Sequence, residues 1–318
     1  MSYTSDVRGE LARLPFADAC CARSELNAAL LCSGGIAWRG RNRYGVTLTT
    51  ADAPTVRRYF AMVKQFYGVV GQIRTIASDT LNGQMRYQLA LPESDGAKLL
   101  EALDLLDPAQ PFGIRQLPTA ETLRFACCKK SFARAAFLMC GAINPPEKKS
   151  HFEIAAPGEA LAQCVAGQFH YFDIDVRVSP RKLKSVVYLK RAESIADALT
   201  LLGASAAVLT FENTRIKKEV SNQVNRRLNC DNSNINRVMQ AAETQLADIR
   251  YIDSELGLDK LPKPLRDMAE ARMNAPGAAL GELGELLDPP IGKSGVNARL
   301  RKLADIANKL RCGEEVRL

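Results

Sequence analysis

The chain has 318 residues, is 47% apolar and 25% charged, and carries a formal net charge of +8. This length allows two or three domains, and the composition is that of an ordinary globular protein. No run reaches the roughly 18 apolar residues needed to cross a bilayer, which excludes a transmembrane helix. The basic balance leaves two readings open: an acidic partner such as nucleic acid, or a merely basic soluble protein.

The opening MSYTSDVRGELARLP contains acids and no apolar signal core, so the expectation is a cytoplasmic protein without membrane contact. Its nine cysteines are then expected as free thiols. Cys20-Cys21 and Cys127-Cys128 are adjacent pairs, and there are only two histidines. Structural zinc ligands usually stand about two to four residues apart, so the pairs read as small apolar residues and no metal is expected.

In chain order, CCARSELNAALLCSGGI (20–36) predicts a helix ending among small residues, Ala28, Ala29, Gly34 and Gly35. IAWRGRNRYGVTLTT then alternates as strands do. Arg39, Arg41 and Arg43 fall on alternate positions, which predicts one shared face, either tracking phosphates or simply charged and exposed. Val56, Tyr59, Phe60, Val63 and Phe66 stand at helical spacing. VVGQIRTIA and QMRYQLALP read as strands on either side of the turn signal Asn82-Gly83. Leu99, Leu100, Leu103 and Leu106 predict a closing helix.

The pattern then starts again. CCKKSFARAAFLMCGAI (127–143) matches the first segment at eight of 17 positions, among them Cys20/Cys127, Ser24/Ser131, Ala28/Ala135 and Gly34/Gly141. HFEIAAP reads as a strand, GEALAQCVAGQFHYF as a helix, IDVRVSP and KSVVYLK as a hairpin, and ESIADALTLLGA as a helix. Each half is helix, two strands, helix, two strands, helix, a unit too long for a solenoid repeat. Small residues near the ends of the two first helices let their backbones pack side by side between the halves. Lys148 and Lys149 lie in the loop matching the arginine hairpin and carry the same ambiguity between DNA and another partner. His151 and His170 have no nucleophile pattern nearby and read as structural.

Between Asn213 and Asn236 the chain is rich in asparagine and base. Within 215–229, Arg215, Lys217, Lys218, Arg226 and Arg227 face a single acid, Glu219, with Asn222 and Asn225 among them. Two readings stay open: a linker helix that the asparagines cap and break, or a basic helix lying on a DNA backbone. Val238, Ala242, Leu246 and Ile249 return to helical spacing. A helix is expected from Pro264 to Met273 and another over ALGELGELL, broken by DPPIGKS. Ser294 is expected to cap a third helix with the buried stripe Val296, Leu300, Leu303, Ala307 and Leu310. Asn297, Arg299, Arg301 and Lys302 are expected on its opposite face, with Lys293 and Ser294 at its start. Short helix, turn and basic helix is the arrangement that enters a major groove. Gly292-Lys293-Ser294 is not a phosphate loop, because Leu287 stands where that motif needs glycine.

The doubled segment resembles the LAGLIDADG motif of homing endonucleases, whose paired helices join two αββαββα halves. Here the motifs read LNAALLCSG (26–34) and ARAAFLMCG (133–141). Ser33 and Cys140 occupy the positions where those enzymes keep metal-binding acids, so the resemblance carries the fold and not the cleavage chemistry. The whole chain is identified as a member of the WhiA family through SYTSDVRGELARLP, AINPPEKKSHFEIA, ENTRIKKEVSNQVNRRLNCDNSNINR and LGELLDPPIGKSGVNARLRKL. That resemblance implies sequence-specific DNA binding, transcription regulation, and a role in cell division, chromosome segregation or sporulation.

The resulting expectation is an α+β protein. A duplicated LAGLIDADG-like domain spans 1–212 (halves about 1–110 and 111–212), a connector spans 213–236, and an all-α helix-turn-helix domain spans 237–318. It is expected to be a non-enzymatic, nucleoid-associated partner of double-stranded DNA, with no cofactor and no small-molecule substrate. Two alternatives stay open: a division or chromosome-organising adaptor with weak unspecific DNA affinity and a protein partner, and a residual metal-dependent endonuclease.

Overall fold

A computed structural model of the chain describes residues 2–16, 18–40, 43–77, 85–109 and 113–314. Arg41 and the Asn82-Gly83 turn signal lie outside the described residues. Contacts divide the chain into two units, Met1–Lys218 and Glu219–Leu318.

The first unit is the duplicated α+β domain. Its first half comprises α2 (Ala19–Ser33), β1 (Gly34–Trp38), β2 (Tyr44–Thr50), α3 (Ala53–Tyr67), β3 (Gln72–Ala77), β4 (Met85–Ala90) and α4 (Glu93–Ala102), preceded by α1 (Tyr3–Ala12). The second half comprises α5 (Ala126–Cys140), β5 (Gly141–Ile143), β6 (Phe152–Ala156), α6 (Glu159–His170), β7 (Arg177–Arg181), β8 (Lys184–Leu189) and α7 (Ala192–Leu202). The two antiparallel sheets share one topology, β1-β2-β4-β3 and β5-β6-β8-β7.

Helices α2 and α5 lie side by side and parallel. The Ser24 hydroxyl donates to the Cys128 carbonyl at their N-terminal ends (2.8 Å), and the Cys140 thiol donates to the Cys32 carbonyl at their C-terminal ends (3.3 Å). Ala28, Ala29, Ala135 and Ala136 are fully buried, and their small side chains permit this approach. Both helices end directly in a strand. A Cβ on Gly34 would sit 2.5 Å from the Leu30 carbonyl oxygen, and one on Gly141 would run into the Phe137 ring. Only glycine lets the chain turn that sharply from helix into sheet at both places.

A buried charge network ties the helices together. Arg58 of α3 grips Glu25 of α2 through two bonds, 2.5 and 2.9 Å, and Arg134 of α5 lies 3.8 Å from the same carboxylate. Burial opposes the Arg58 charge, but the Glu25 carboxylate outweighs it and holds the guanidinium pKa above its usual value. Arg134, further from the acid, is lowered by burial. The remaining donors go to main chain, Arg58 to the Leu14 carbonyl and Arg134 to the Leu202 carbonyl.

Helix α1, which buries Val7 and Leu11, joins the two halves. Arg8 pairs with Asp52 of the first half (2.6 Å) and donates to the Gly141 carbonyl of the second. Thr4 both donates to and accepts from the Ile143 main chain. Glu10 accepts from the N–H groups of Ala206 and Ala207 and so caps the next helix, α8 (Ser205–Glu255).

One expectation needs correction. Helix α4 stops at Ala102, so Leu103 and Leu106 lie beyond it, and Leu106 bridges Ile114 instead. Of the two readings left open for 213–236, the helix is unbroken, because α8 runs through all the asparagines. Low propensity costs only about 0.7 kcal/mol per residue at most, and the intervening Arg, Lys, Val and Leu continue the helix. The second unit holds the rest of α8, a 3₁₀ turn (Leu258–Lys260), α9 (Lys263–Asn274), α10 (Leu280–Glu285) and α11 (Lys293–Arg311).

Replacing Glu25 with Ala leaves two buried guanidinium groups without their carboxylate, which should cost about 3–5 kcal/mol. Urea unfolding followed by circular dichroism should show the fall in midpoint, and Glu25→Asp should retain part of the stability.

Candidate nucleic-acid interface

The second unit closes around one apolar core. Ile249 and Ile252 of α8, Leu265, Met268 and Ala269 of α9, Leu283 and Leu287, and Val296, Leu300, Leu303 and Ala307 of α11 are all buried together. The expected stripe on α11 is thus inward, with Leu310 packed at its edge. The turn before α11 is held tightly. The Ile291 N–H donates to the Gly284 carbonyl (3.0 Å), and a Cβ on Gly284 would collide with the Ile291 carbonyl. Glu282 accepts from the Ala279 N–H at the start of α10. Arg272 is buried with no acid paired to it among the described residues and donates to the Ala278 and Pro276 carbonyls (2.8 and 3.3 Å), fixing the loop that leads into α10. Burial lowers its pKa.

With one face of α11 committed to that core, the other is left to solvent. Lys293, Ser294, Arg301 and Lys302 are exposed and Asn297 is half-buried. Two details differ from expectation. Gly292, not Ser294, is the N-cap residue, and no side chain caps the helix. The Ser294 hydroxyl sits inside the first turn, where the N–H groups remain open to an acceptor. Arg299 does not share the outer face. It follows Val296 by three residues and precedes Leu303 by four, so it flanks the buried stripe. There it donates to the Pro264 carbonyl at the start of α9 (3.4 Å). The Lys293 stem lies across Gly281 of α10, which has no side chain to displace it.

Helix α8 carries the remaining candidates. Asn222, Asn225, Arg226 and Arg227 are all exposed. Asn222, Asn225 and Arg226, with Asn229 a turn further on, share one face. Arg227 lies off that face, nearer an apolar stripe that the reading by asparagine and charge missed. Ile216, Val220, Val224, Leu228, Ile235, Val238 and Met239 are each 47–56% exposed. Its signal was present in the sequence as a run of four-residue steps. Val238 therefore belongs to this stripe and not to the core that buries Ile249.

Comparison with known proteins fits this layout. Family descriptions match as the WhiA N-terminal LAGLIDADG-like domain over residues 19–106, the WhiA LAGLIDADG-like domain over 129–221, and the WhiA C-terminal HTH domain over 224–307. A probable cell division protein WhiA from Desulforamulus reducens is 38% identical over 99% of this chain and 98% of that protein. The chain belongs to the WhiA family. A second WhiA-family relative, from Heliobacterium modesticaldum, is 37% identical over 96% of each chain. The crystal structure of full-length WhiA from Thermotoga maritima shares the fold, with a TM-score of 0.60 at 20% identity over 97% of this chain and 99% of that one.

In this WhiA-family chain the positions of the former LAGLIDADG acids are occupied by groups already engaged. The Ser33 hydroxyl donates to the Thr49 carbonyl of β2 (2.7 Å). Cys140 donates across the helix pair to Cys32. A hydrogen bond from the Cys32 thiol, followed by the charges of Lys184, Arg8 and Arg86, holds the Cys140 thiol below its usual range despite burial.

The arginine hairpin is also placed differently than alternation suggested. Arg39 and Arg43 are in the turn between β1 and β2, not on the sheet face, and both are exposed. The Arg39 N–H donates to the Arg43 carbonyl, and Gly40 takes a positive φ of 78° to close the loop. Arg39 also lies 3.4 Å from Glu93. Lys148 and Lys149 are exposed in the matching β5–β6 loop, whose carbonyls at Pro146 and Lys148 accept from Lys218. Both histidines are partnered, His151 with Glu153 and His170 with the Val176 carbonyl, each at 3.0 Å.

The cysteines are free thiols as expected, but their burial and placement differ in part from expectation. Cys21 and Cys128 are buried as expected, but Cys127 is exposed, and the thiols of Cys20, Cys21, Cys127 and Cys128 lie within 4.8 Å of one another.

Replacing Gly284 with Ala pushes a methyl group into the Ile291 carbonyl and should destabilise the second unit by about 1–3 kcal/mol. Hydrogen exchange should show faster opening of α10 and α11 and unchanged protection in α2 and α5.

Proposed function

We propose that this WhiA-family chain is a non-enzymatic, DNA-binding regulator of cell division, acting on transcription through its C-terminal helix-turn-helix and associating with the nucleoid. The observation that carries this reading is the outer face of α11. A closed apolar core fixes the helix from one side and leaves Lys293, Ser294, Asn297, Arg301 and Lys302 on the other. Side chains of that kind at the start of a helix reach base edges, while the helix N-terminus and flanking bases hold phosphate. Asn222, Asn225, Arg226 and Arg227 on α8 add backbone contacts. Arg39 and Arg43, with Lys148 and Lys149, are a second basic surface for DNA or for a division-protein partner.

Engaged Ser33 and Cys140, with Arg8, Arg86 and Lys184 acting on Cys140, support a regulator over a residual endonuclease. Divalent-metal cleavage needs carboxylate oxygens where these groups stand. Plasmid incubated with the purified chain and magnesium or manganese should stay uncut.

Affinity for a target duplex should fall steeply with salt, because each neutralised phosphate releases counterion. Arg301→Ala with Lys302→Ala should weaken binding at least about tenfold and flatten the salt dependence by about two contacts. Arg299→Ala alone should cost less, since that side chain is partly spent on Pro264. Fluorescence anisotropy across a salt series measures all three. Wild-type affinity in the double variant, or affinity indifferent to salt, would overturn the assignment. Discrete peaks in genome-wide occupancy favour the regulator, and diffuse occupancy favours the adaptor.

A further inference from the structure

We infer that Cys20, Cys21, Cys127 and Cys128 form a tetrathiolate site for a single zinc ion, clamping the N-terminal ends of the two interface helices. Each pair occupies the second and third positions of its helix, α2 from Ala19 and α5 from Ala126. Helical side chains tilt toward the N-terminus, so adjacent residues in a first turn can both lean over the helix end. The Cys20 and Cys21 sulfurs lie 4.0 Å apart. The usual two-to-four-residue spacing is needed where a loop must bend to present both ligands. A helix end presents them without bending.

Because α2 and α5 are parallel, the two ends stand together and the pairs converge. All four sulfurs lie within 4.8 Å of one another. Around a tetrahedral zinc with Zn–S bonds of about 2.3 Å, sulfurs stand roughly 3.8 Å apart, so small side-chain adjustments complete the site. A four-iron cluster puts each thiolate on a different iron and needs a wider spread of sulfurs. Thiolate softness selects zinc over magnesium or calcium. Neither helix has a side-chain N-cap, so two positive dipole ends offset the charge of four thiolates.

Disulfides are the competing use of these thiols. Within a pair they are disfavoured, since consecutive Cα atoms stand about 3.8 Å apart and a disulfide usually needs at least about 4.4 Å. Cross-helix disulfides are the form the experiment must separate from zinc.

The full chain, purified under reducing conditions without added metal, should contain about one equivalent of zinc by mass spectrometry. X-ray absorption should show a sulfur-only shell at about 2.3 Å. Cobalt exchanged into the site should give the intense visible bands of a tetrahedral tetrathiolate. Cys127→Ser, at an exposed position, should weaken zinc retention against a competing chelator at least tenfold, while Cys230→Ser and Cys312→Ser leave it unchanged. Zinc removal should lower the melting temperature of the wild-type chain. The proposal fails if the reduced wild-type chain stays metal-free after zinc addition. It fails equally if the metal shell is nitrogen and oxygen, or if cross-helix disulfides persist under reducing purification. The wild-type measurements stand whether or not any variant folds.

Discussion

The close parallel contact of α2 and α5 is the constraint on which the first unit depends. Buried alanines set how near the two backbones come, and Gly34 and Gly141 allow each helix to pass directly into a sheet. Once those helices are side by side, two sheets of identical topology must start from the same end of the pair. Helix α1 then bridges the halves, with Arg8 reaching Asp52 on one side and Gly141 on the other. Position 33 meets β2 there and position 140 meets its neighbouring helix.

Charge is used in two physically distinct ways. Inside the first unit, Arg58, Arg134 and Glu25 are buried and satisfied, and such a network specifies which helices meet more than it adds stability. Lys293, Arg301 and Lys302 of α11 and Arg226 and Arg227 of α8 remain in solvent, where they contribute little to folding and are available to an external anion. Arg299 and Arg272 stand between these cases. Both donate to main-chain carbonyls near the start or end of α9, so part of the basic character of the second unit positions its own loops. A count of bases along the sequence cannot make that distinction, because it depends on which carbonyls the fold leaves within reach.

Sulfur marks both ends of the interface helices. At the C-terminal ends, Cys32 and Cys140 share a hydrogen-bonded contact beside a cationic surrounding. At the N-terminal ends four thiols converge. The duplication itself produces this, since a residue near the pseudo-two-fold axis meets its own copy. The first unit carries the duplicated LAGLIDADG-like fold, and the second carries the helix-turn-helix.

Several features of the WhiA-family chain were legible from sequence alone because they rest on local periodicity and duplication. The two αββαββα halves, the inward stripe of α11 and the loss of acids at 33 and 140 all follow from residue type at fixed spacing. Other features needed the third dimension. Alternation placed Arg39 and Arg43 on a strand, but the hairpin closes at Gly40 and leaves them in the turn. Propensity left a break among the asparagines open, but neighbouring residues carry α8 through. Adjacent cysteines looked unsuited to a shared site when each pair was weighed alone. Sequence fixes what each segment prefers and which positions repeat. Only packing decides which distant groups share a few ångströms, because that depends on the crossing of two helices and not on either one.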